Sequence, residues 1–399
     1  MRIAFLASEF FDPDTPQSWS GLPFFMRHAI EGAGIETVTL SPVDSRQAER
    51  IVRFLYWRWM RRRRYLKYCD HGLLQNHARQ YERGLAGIAV DAVFSPSTWP
   101  LAYLQTDLPM VFWTDACFAG MLDFYRSFTH VAPPSVSEGQ VIEQLALNRC
   151  ARALYATEWA AETTQRSYGI PDHKVDIVPF GGNLAEPPTL QQVSDIIRQR
   201  PATPCRLLLV GVDWVRKGVD IAVDTVKALS AAGLDCRLTI VGCSPPAGAS
   251  LPACVEVIPF ISKVTAEDRQ RLNDLYARSH FFIMPTRAEA FGIVFAEAST
   301  FGVPCLATAV GGLPSVIKNG VNGQLFPLEA NGEDYADWIL NVFLNPERCR
   351  ELALRTAEHA ATHLSWNVAG QRVATILNDV IRGPSEKWVR HRAPETTRA

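Results

Sequence analysis

Ten short apolar runs recur along this chain, at residues 3–7, 37–40, 91–94, 109–115, 152–155, 206–210, 237–241, 255–258, 281–284 and 303–307, with helix-compatible stretches separating most of them. Short runs bounded by turn residues are the pattern of strands buried on both faces of a parallel sheet. Parallel strands need crossover connections, usually helices, so the alternation predicts an α/β protein. The pattern pauses at 185–204, where Pro187, Pro188, Pro201 and Pro204 flank a helical stretch and predict a linker. A chain of 399 residues holds two domains of ordinary size, so the runs divide into two doubly wound sheets facing a cleft, one over 1–184 and one over 205–365.

The most informative stretch is 284–297, Met-Pro-Thr-Arg-Ala-Glu-Ala-Phe-Gly-Ile-Val-Phe-Ala-Glu. It reads as a strand end, a loop and a helix whose first turn lies near Phe291, Gly292, Ile293 and Val294. Unpaired amides and the helix dipole there attract an anion. Glu289 sits in the loop and Glu297 faces inward on the helix. Neither neutralises a phosphate, but each carboxylate can accept charge-assisted hydrogen bonds from the hydroxyls of a sugar or ribose. The combination predicts a sugar nucleotide. Two glutamates flanking an ordinary helix are the alternative for the pair alone.

The stretch resembles the E-x7-E signature of retaining glycosyltransferases of the GT-B fold, family 4. The resemblance spans about residues 2–382. It implies two Rossmann-like domains, acceptor on the first and donor on the second, with helix 366–382 crossing back onto the first domain. The tail over 383–399, with Pro384, Pro394 and mixed charges, is expected to be mobile. It implies ribose binding by Glu297, donor-sugar contact by Glu289, and a sugar and phosphate held by the amides of Ala290, Phe291, Gly292, Ile293 and Val294. Ser18-Trp19-Ser20-Gly21 resembles the family loop whose glycine lies against the donor diphosphate. The segment 179–183, Pro-Phe-Gly-Gly-Asn, resembles the P-x-G-x-[DN] element before the linker. Lys217 matches the lysine that clamps the donor phosphates. By position, Phe260 and Ile261 fall in the loop that holds the base.

Two departures stand out. The family's usual arginine position holds Val212, which leaves Arg216 as the nearest second cation, and its usual histidine position holds Asp115. A histidine can donate a hydrogen bond, whereas an ionised aspartate only accepts. Asp115 is therefore expected either to take an acceptor's proton or to cap its loop. The catalytic candidates are Glu289, Asp115 and Lys217.

The resemblance implies a metal-independent transfer without a resident cofactor, because helix ends and a lysine serve the phosphates of a UDP- or GDP-sugar. Asp12-Pro-Asp14 spells a metal-binding D-x-D of an unrelated fold and is taken as coincidence. The acceptor is a glycan, a lipid-linked molecule or a small molecule. A sugar-nucleotide-binding protein without transfer, and a sugar-nucleotide epimerase or hydrolase, are the other readings.

A net charge of -1 argues against bulk binding to nucleic acid. Nine cysteines without a CxxC pair suit a reducing cytoplasm. No apolar run approaches the roughly 20 residues of a membrane span, and the opening run reads as a strand instead of a leader. The segment 50–64 carries seven arginines, from Arg50 to Arg64, among Phe54, Tyr56, Trp57 and Trp59. As one helix it would place Ile51, Val52, Leu55 and Trp59 on a common face. The expectation is a solvated arginine face or a peripheral contact with the inner face of a membrane or an anionic acceptor.

Overall fold

A computed structural model describes residues 1–42 and 47–383. The expected tail beyond Gly383 and the side chain of Arg50 lie outside the described residues.

Among the described residues twelve strands form two six-stranded sheets, every ladder parallel. The first contains β1 (Arg2–Leu6), β2 (Glu36–Leu40), β3 (Ala92–Ser95), β4 (Met110–Thr114), β5 (Arg152–Tyr155) and β6 (Val175–Ile177), in the order β2-β1-β3-β4-β5-β6. The second contains β7 (Cys205–Val210), β8 (Cys236–Val241), β9 (Val255–Ile258), β10 (Phe281–Met284), β11 (Cys305–Thr308) and β12 (Gly323–Phe326), in the order β12-β11-β10-β7-β8-β9. Helices cover both sheets, so β3, β4, β10 and β11 are buried along their whole length, which is why their sequences are apolar runs without alternation.

These orders determine where a ligand fits. In an open parallel sheet the chain reverses its direction of winding at one point, and the loops leaving the two strands on either side splay apart there. In the first sheet that point lies between β1 and β3, and in the second between β7 and β10. The loop after β7 carries Arg216 and Lys217, and the loop after β10 carries Glu289. Residues 72 and 73 positions apart in sequence thereby become neighbours.

The stretch between the sheets is packed, not free. Thr189 caps the helix Leu190–Gln199 with a reciprocal Gln192 bond, and Val193 and Ile197 pack against Ala353 and Ala357. Arg200 then donates to the carbonyls of Ala277, Phe301 and Gly302 at the ends of two helices. The final helix, Trp366–Arg382, lies on the helix Leu22–Gly32, where a Cβ on Gly370 would fall 2.1 Å from the Ala29 carbonyl. Its Trp366 ring stacks on Phe180 at 5.6 Å and meets Trp113 edge-on at 5.6 Å.

Two elements are not marked by the apolar runs. The helix Ala266–Arg278 starts where the Thr265 hydroxyl accepts from the Asp268 amide. The strand β12, Gly-Gln-Leu-Phe, is led by a glycine and interrupted by Gln324. One local expectation changes. The single helix expected over 50–64 stops early. It runs over Gln47–Leu55, widens over Tyr56–Met60 and ends before Arg62, whose φ is 50°. Continued as a helix, the segment would set Arg58 beside Arg61 and Arg62 on successive turns, like charges three and four positions apart, and none of residues 51–63 is buried to offset that.

Candidate active site

The helix Ile293–Thr300 starts at Gly292, which has φ 78°. A Cβ there would meet the Phe295 ring at 2.6 Å and the Glu289 side chain at 3.0 Å, so only glycine lets the chain turn this tightly beneath Glu289. No side chain caps the helix. Among the described residues its first amides, at Ile293 and Val294, have no hydrogen-bond acceptor. Ala290 differs from the expectation in one respect: its N–H already donates to the Tyr125 hydroxyl of the first unit at 2.7 Å.

Glu289 is buried between two cations. Lys217 Nζ donates to its Oε2 at 2.5 Å, and Arg216 Nη1 reaches the same oxygen at 3.4 Å while donating to the Ala288 carbonyl at 2.9 Å. Arg216 therefore does point at the site, which spacing alone left open, and its guanidinium lies 5.5 Å from the centroid of the Tyr125 ring. The cluster can receive a diphosphate with Lys217 and Arg216 while Glu289 turns to a hydroxyl.

Glu297 is fully buried one helical turn further in. Tyr276 donates to its Oε2 at 2.9 Å, and Lys263 is ion-paired with Oε1. Lys263 also donates to the Asn183 carbonyl at 3.4 Å. Asn183 in turn donates to the Ser20 carbonyl at 2.7 Å and accepts from Trp366 Nε1 at 3.0 Å. Gly21, with φ 84°, stands beside it, where a Cβ would come within 3.2 Å of Asn183 Nδ2. The glycine loop, the P-x-G-x-N element, the last helix and the second glutamate thus meet at one asparagine. Trp19 and Ser20 share the left-handed backbone, at φ 46° and 57°, a strained arrangement of the kind held at ligand sites.

Asp115 follows β4 and is half-buried. Enclosure by the surrounding atoms pushes its carboxyl up to about 6; its own backbone amide opposes this, and the nearby Glu289 charge adds to it. Burial likewise raises the Tyr125 hydroxyl, with Glu289 and Asp115 contributing. Asp115 and Tyr125 of the first unit therefore lie close to Glu289 of the second, across the cleft. Of the base-loop pair, Ile261 is buried and Phe260 is 70% exposed, so only the Phe260 ring is open to a flat ligand.

Sequence reasoning missed Tyr125, Tyr276 and Lys263 as site residues. Their partners lie 165, 21 and 34 positions away, and no local pattern marks them. Asn183 was visible only as a motif position.

Residues 204–345, the part bearing Lys217 and both glutamates, match the family Glycosyl transferases group 1. A D-inositol 3-phosphate glycosyltransferase of Xylanimonas cellulosilytica is 30% identical over 257 residues, which is 60% of this chain and 60% of that protein. Among solved structures, the sucrose-phosphate synthase of Thermosynechococcus elongatus superposes with a TM-score of 0.67 at 17% identity, covering 95% of this chain and 98% of the other. The Anabaena protein Alr3699/HepE, solved with UDP and glucose, gives 0.61 at 14% identity over 95% and 99%. The fold is that of the GT-B glycosyltransferases, two Rossmann-like units about a cleft, and the family match falls within the second unit. The match to the curated relative spans about three fifths of that protein's length.

Proposed function

We propose that this protein is a retaining glycosyltransferase of family 4 that moves a sugar from a nucleoside diphosphate to an acceptor hydroxyl. The observation that carries the reading is the meeting of Lys217, Arg216, Glu289 and the uncapped start of the helix Ile293–Thr300 at the winding reversal of the second sheet. Two cations and open amides suit a diphosphate, and a carboxylate between them suits the hydroxyls of the sugar it carries.

On this reading the unit over 205–365 binds the donor and the unit over 1–184 the acceptor. The ribose hydroxyls meet Glu297, and the base meets the exposed Phe260 ring in the loop whose buried neighbour is Ile261. Lys217 and Arg216 stabilise charge developing on the leaving diphosphate. The acceptor attacks from the face the diphosphate leaves, and a phosphate oxygen takes its proton, so no enzymic nucleophile and no metal is required. Asp115 accepts a hydrogen bond from the acceptor. The domains close to keep water from the donor. UDP-glucose is the first donor to test and D-inositol 3-phosphate the first acceptor, following the known proteins compared above.

The test is thermal unfolding with UDP-, GDP- and ADP-sugars, with and without magnesium, followed by anomeric analysis of any product. A ligand at 100 times its dissociation constant adds about 2.7 kcal/mol to stability. A shift with one nucleotide, lost in Glu297→Ala, and a product keeping the donor's anomeric configuration support the proposal. No shift with any donor, or an inverted product, overturns it. Turnover without any acceptor would favour an epimerase or a hydrolase.

A further inference from the structure

Soluble proteins bury most of their large apolar side chains, and a contiguous exposed set marks a surface that meets something. Here such a set stands in one place. Ile51, Val52, Leu55, Trp59 and Met60 are 55%, 66%, 45%, 76% and 75% exposed. The helix Gln47–Leu55 is nine residues long, shorter than an isolated helix sustains in water without a packed face. The expected common face of Ile51, Val52, Leu55 and Trp59 thus forms part of an apolar surface turned outward.

Along the segment itself the charges are of one sign, between Glu49 and Asp70. From residue 50 to residue 69 the sequence holds seven arginines and one lysine and no aspartate or glutamate, in a chain whose net charge is -1. Arg53, Arg58, Arg61, Arg62 and Arg63 are exposed among the apolar groups. The segment is fastened at its base. Arg64 exchanges backbone bonds with His130 and Ala132 at 2.9 and 2.8 Å, Leu66 N–H donates to Ser135 Oγ at 3.0 Å, and Arg53 pairs with Asp70 at 2.9 Å. A few residues on, Tyr68 stacks on Trp99 at 4.3 Å beyond the end of β3, so the projection adjoins the winding reversal of the first sheet.

We infer that residues 51–63 dock on an anionic lipid surface, Trp59, Met60 and their apolar neighbours entering the interface while the arginines meet the head groups. Exposed aromatic and aliphatic groups interleaved with cations match the two layers of such a surface, an apolar interior beneath negative head groups. A second copy of the chain fits worse, since a two-fold contact through this patch would set arginines against arginines. The inference goes beyond the transferase proposal, and combined with it brings the acceptor side of the cleft to the membrane.

The experiment sediments the full chain with vesicles of phosphatidylcholine alone and of phosphatidylcholine with phosphatidylglycerol, at low and high salt. Tryptophan quenching by lipid brominated in its acyl chains is read in parallel. The expected result is binding to the anionic vesicles only, weakened by salt, with quenching. Trp59→Ala with Met60→Ala, and separately Arg58→Glu, Arg61→Glu and Arg62→Glu together, should each reduce binding about tenfold or more. All five side chains are exposed, so the variants should keep the wild-type melting temperature and any donor-induced shift. Absence of vesicle binding at low salt, binding untouched by both sets, or adsorption without quenching overturns the inference. So does a concentration-dependent dimer that Trp59→Ala abolishes. A wild-type protein that binds vesicles but no donor would instead refute the transferase proposal alone.

Discussion

Lys217 and Glu289, which leave different strands of the second sheet, form an ion pair at 2.5 Å with both side chains about nine-tenths buried. Each holds the other's charge in the site. A diphosphate arriving at Lys217 can replace the carboxylate and release Glu289 toward the sugar. Lys217→Ala should therefore lower donor affinity and also destabilise the free protein, by about 3 to 5 kcal/mol if the buried carboxylate is left without its main partner. Calorimetric titration with nucleotide, alongside melting curves, separates the two effects. Glu289→Ala should reduce turnover more than nucleotide affinity, and retained turnover would remove its role at the sugar.

Glu297 accepts from Tyr276 and pairs with Lys263, so ribose hydroxyls must share or displace existing partners. Glu297→Ala should weaken donor binding by about 1.5 to 3 kcal/mol for each hydrogen bond lost to the charged group. Lys263→Ala should leave the nucleotide bound but loosen its contact with the Asn183 junction. Isothermal titration of both variants checks this; equal losses would assign Lys263 to the ligand as well.

Tyr125→Phe removes the acceptor for the Ala290 amide, a contact joining the two units. A cost of about 0.5 to 1.5 kcal/mol is expected. Melting temperature with and without donor reports it, and an unchanged value in both states would show that the contact contributes nothing to closure.

The Asp115 carboxyl, raised to about 6 mainly by burial, is protonated at acid pH and ionised at neutral pH. If it accepts the acceptor's hydrogen bond, kcat/KM should rise as pH passes upward through about 6, and Asp115→Asn should flatten the rise. A wild-type rate falling through that range would mean that the neutral acid is the working form.

Glu143, buried in the first unit and accepting from Thr98 at 2.6 Å, is raised to about 7, burial being the principal cause. Its folded value exceeds its unfolded one, so its contribution to stability is complete below about 4.5 and is lost as pH rises through about 7. Glu143→Gln should then gain stability relative to wild type as pH rises, by roughly 2 to 4 kcal/mol at most. Denaturant unfolding at acid and at weakly alkaline pH measures the difference, and a gap that stays constant with pH would contradict the assignment.

The amino-acid sequence by itself determined the strand and helix alternation, the two sheets and the turn around Gly292. Strand burial and first-turn geometry are local properties, carried by apolar runs and by a glycine that no other residue replaces at φ 78°. It also marked Glu289, Glu297 and Lys217, because their motif spacing survives without coordinates. Tertiary structure alone decided that Arg216 turns into the site, that Tyr125 and Tyr276 serve it, and that Asn183 joins four segments. It decided also that the face containing Trp59 looks outward. These relations join residues brought together only when the sheets wind and pack, and a periodic pattern says which side chains share a face without saying what that face meets.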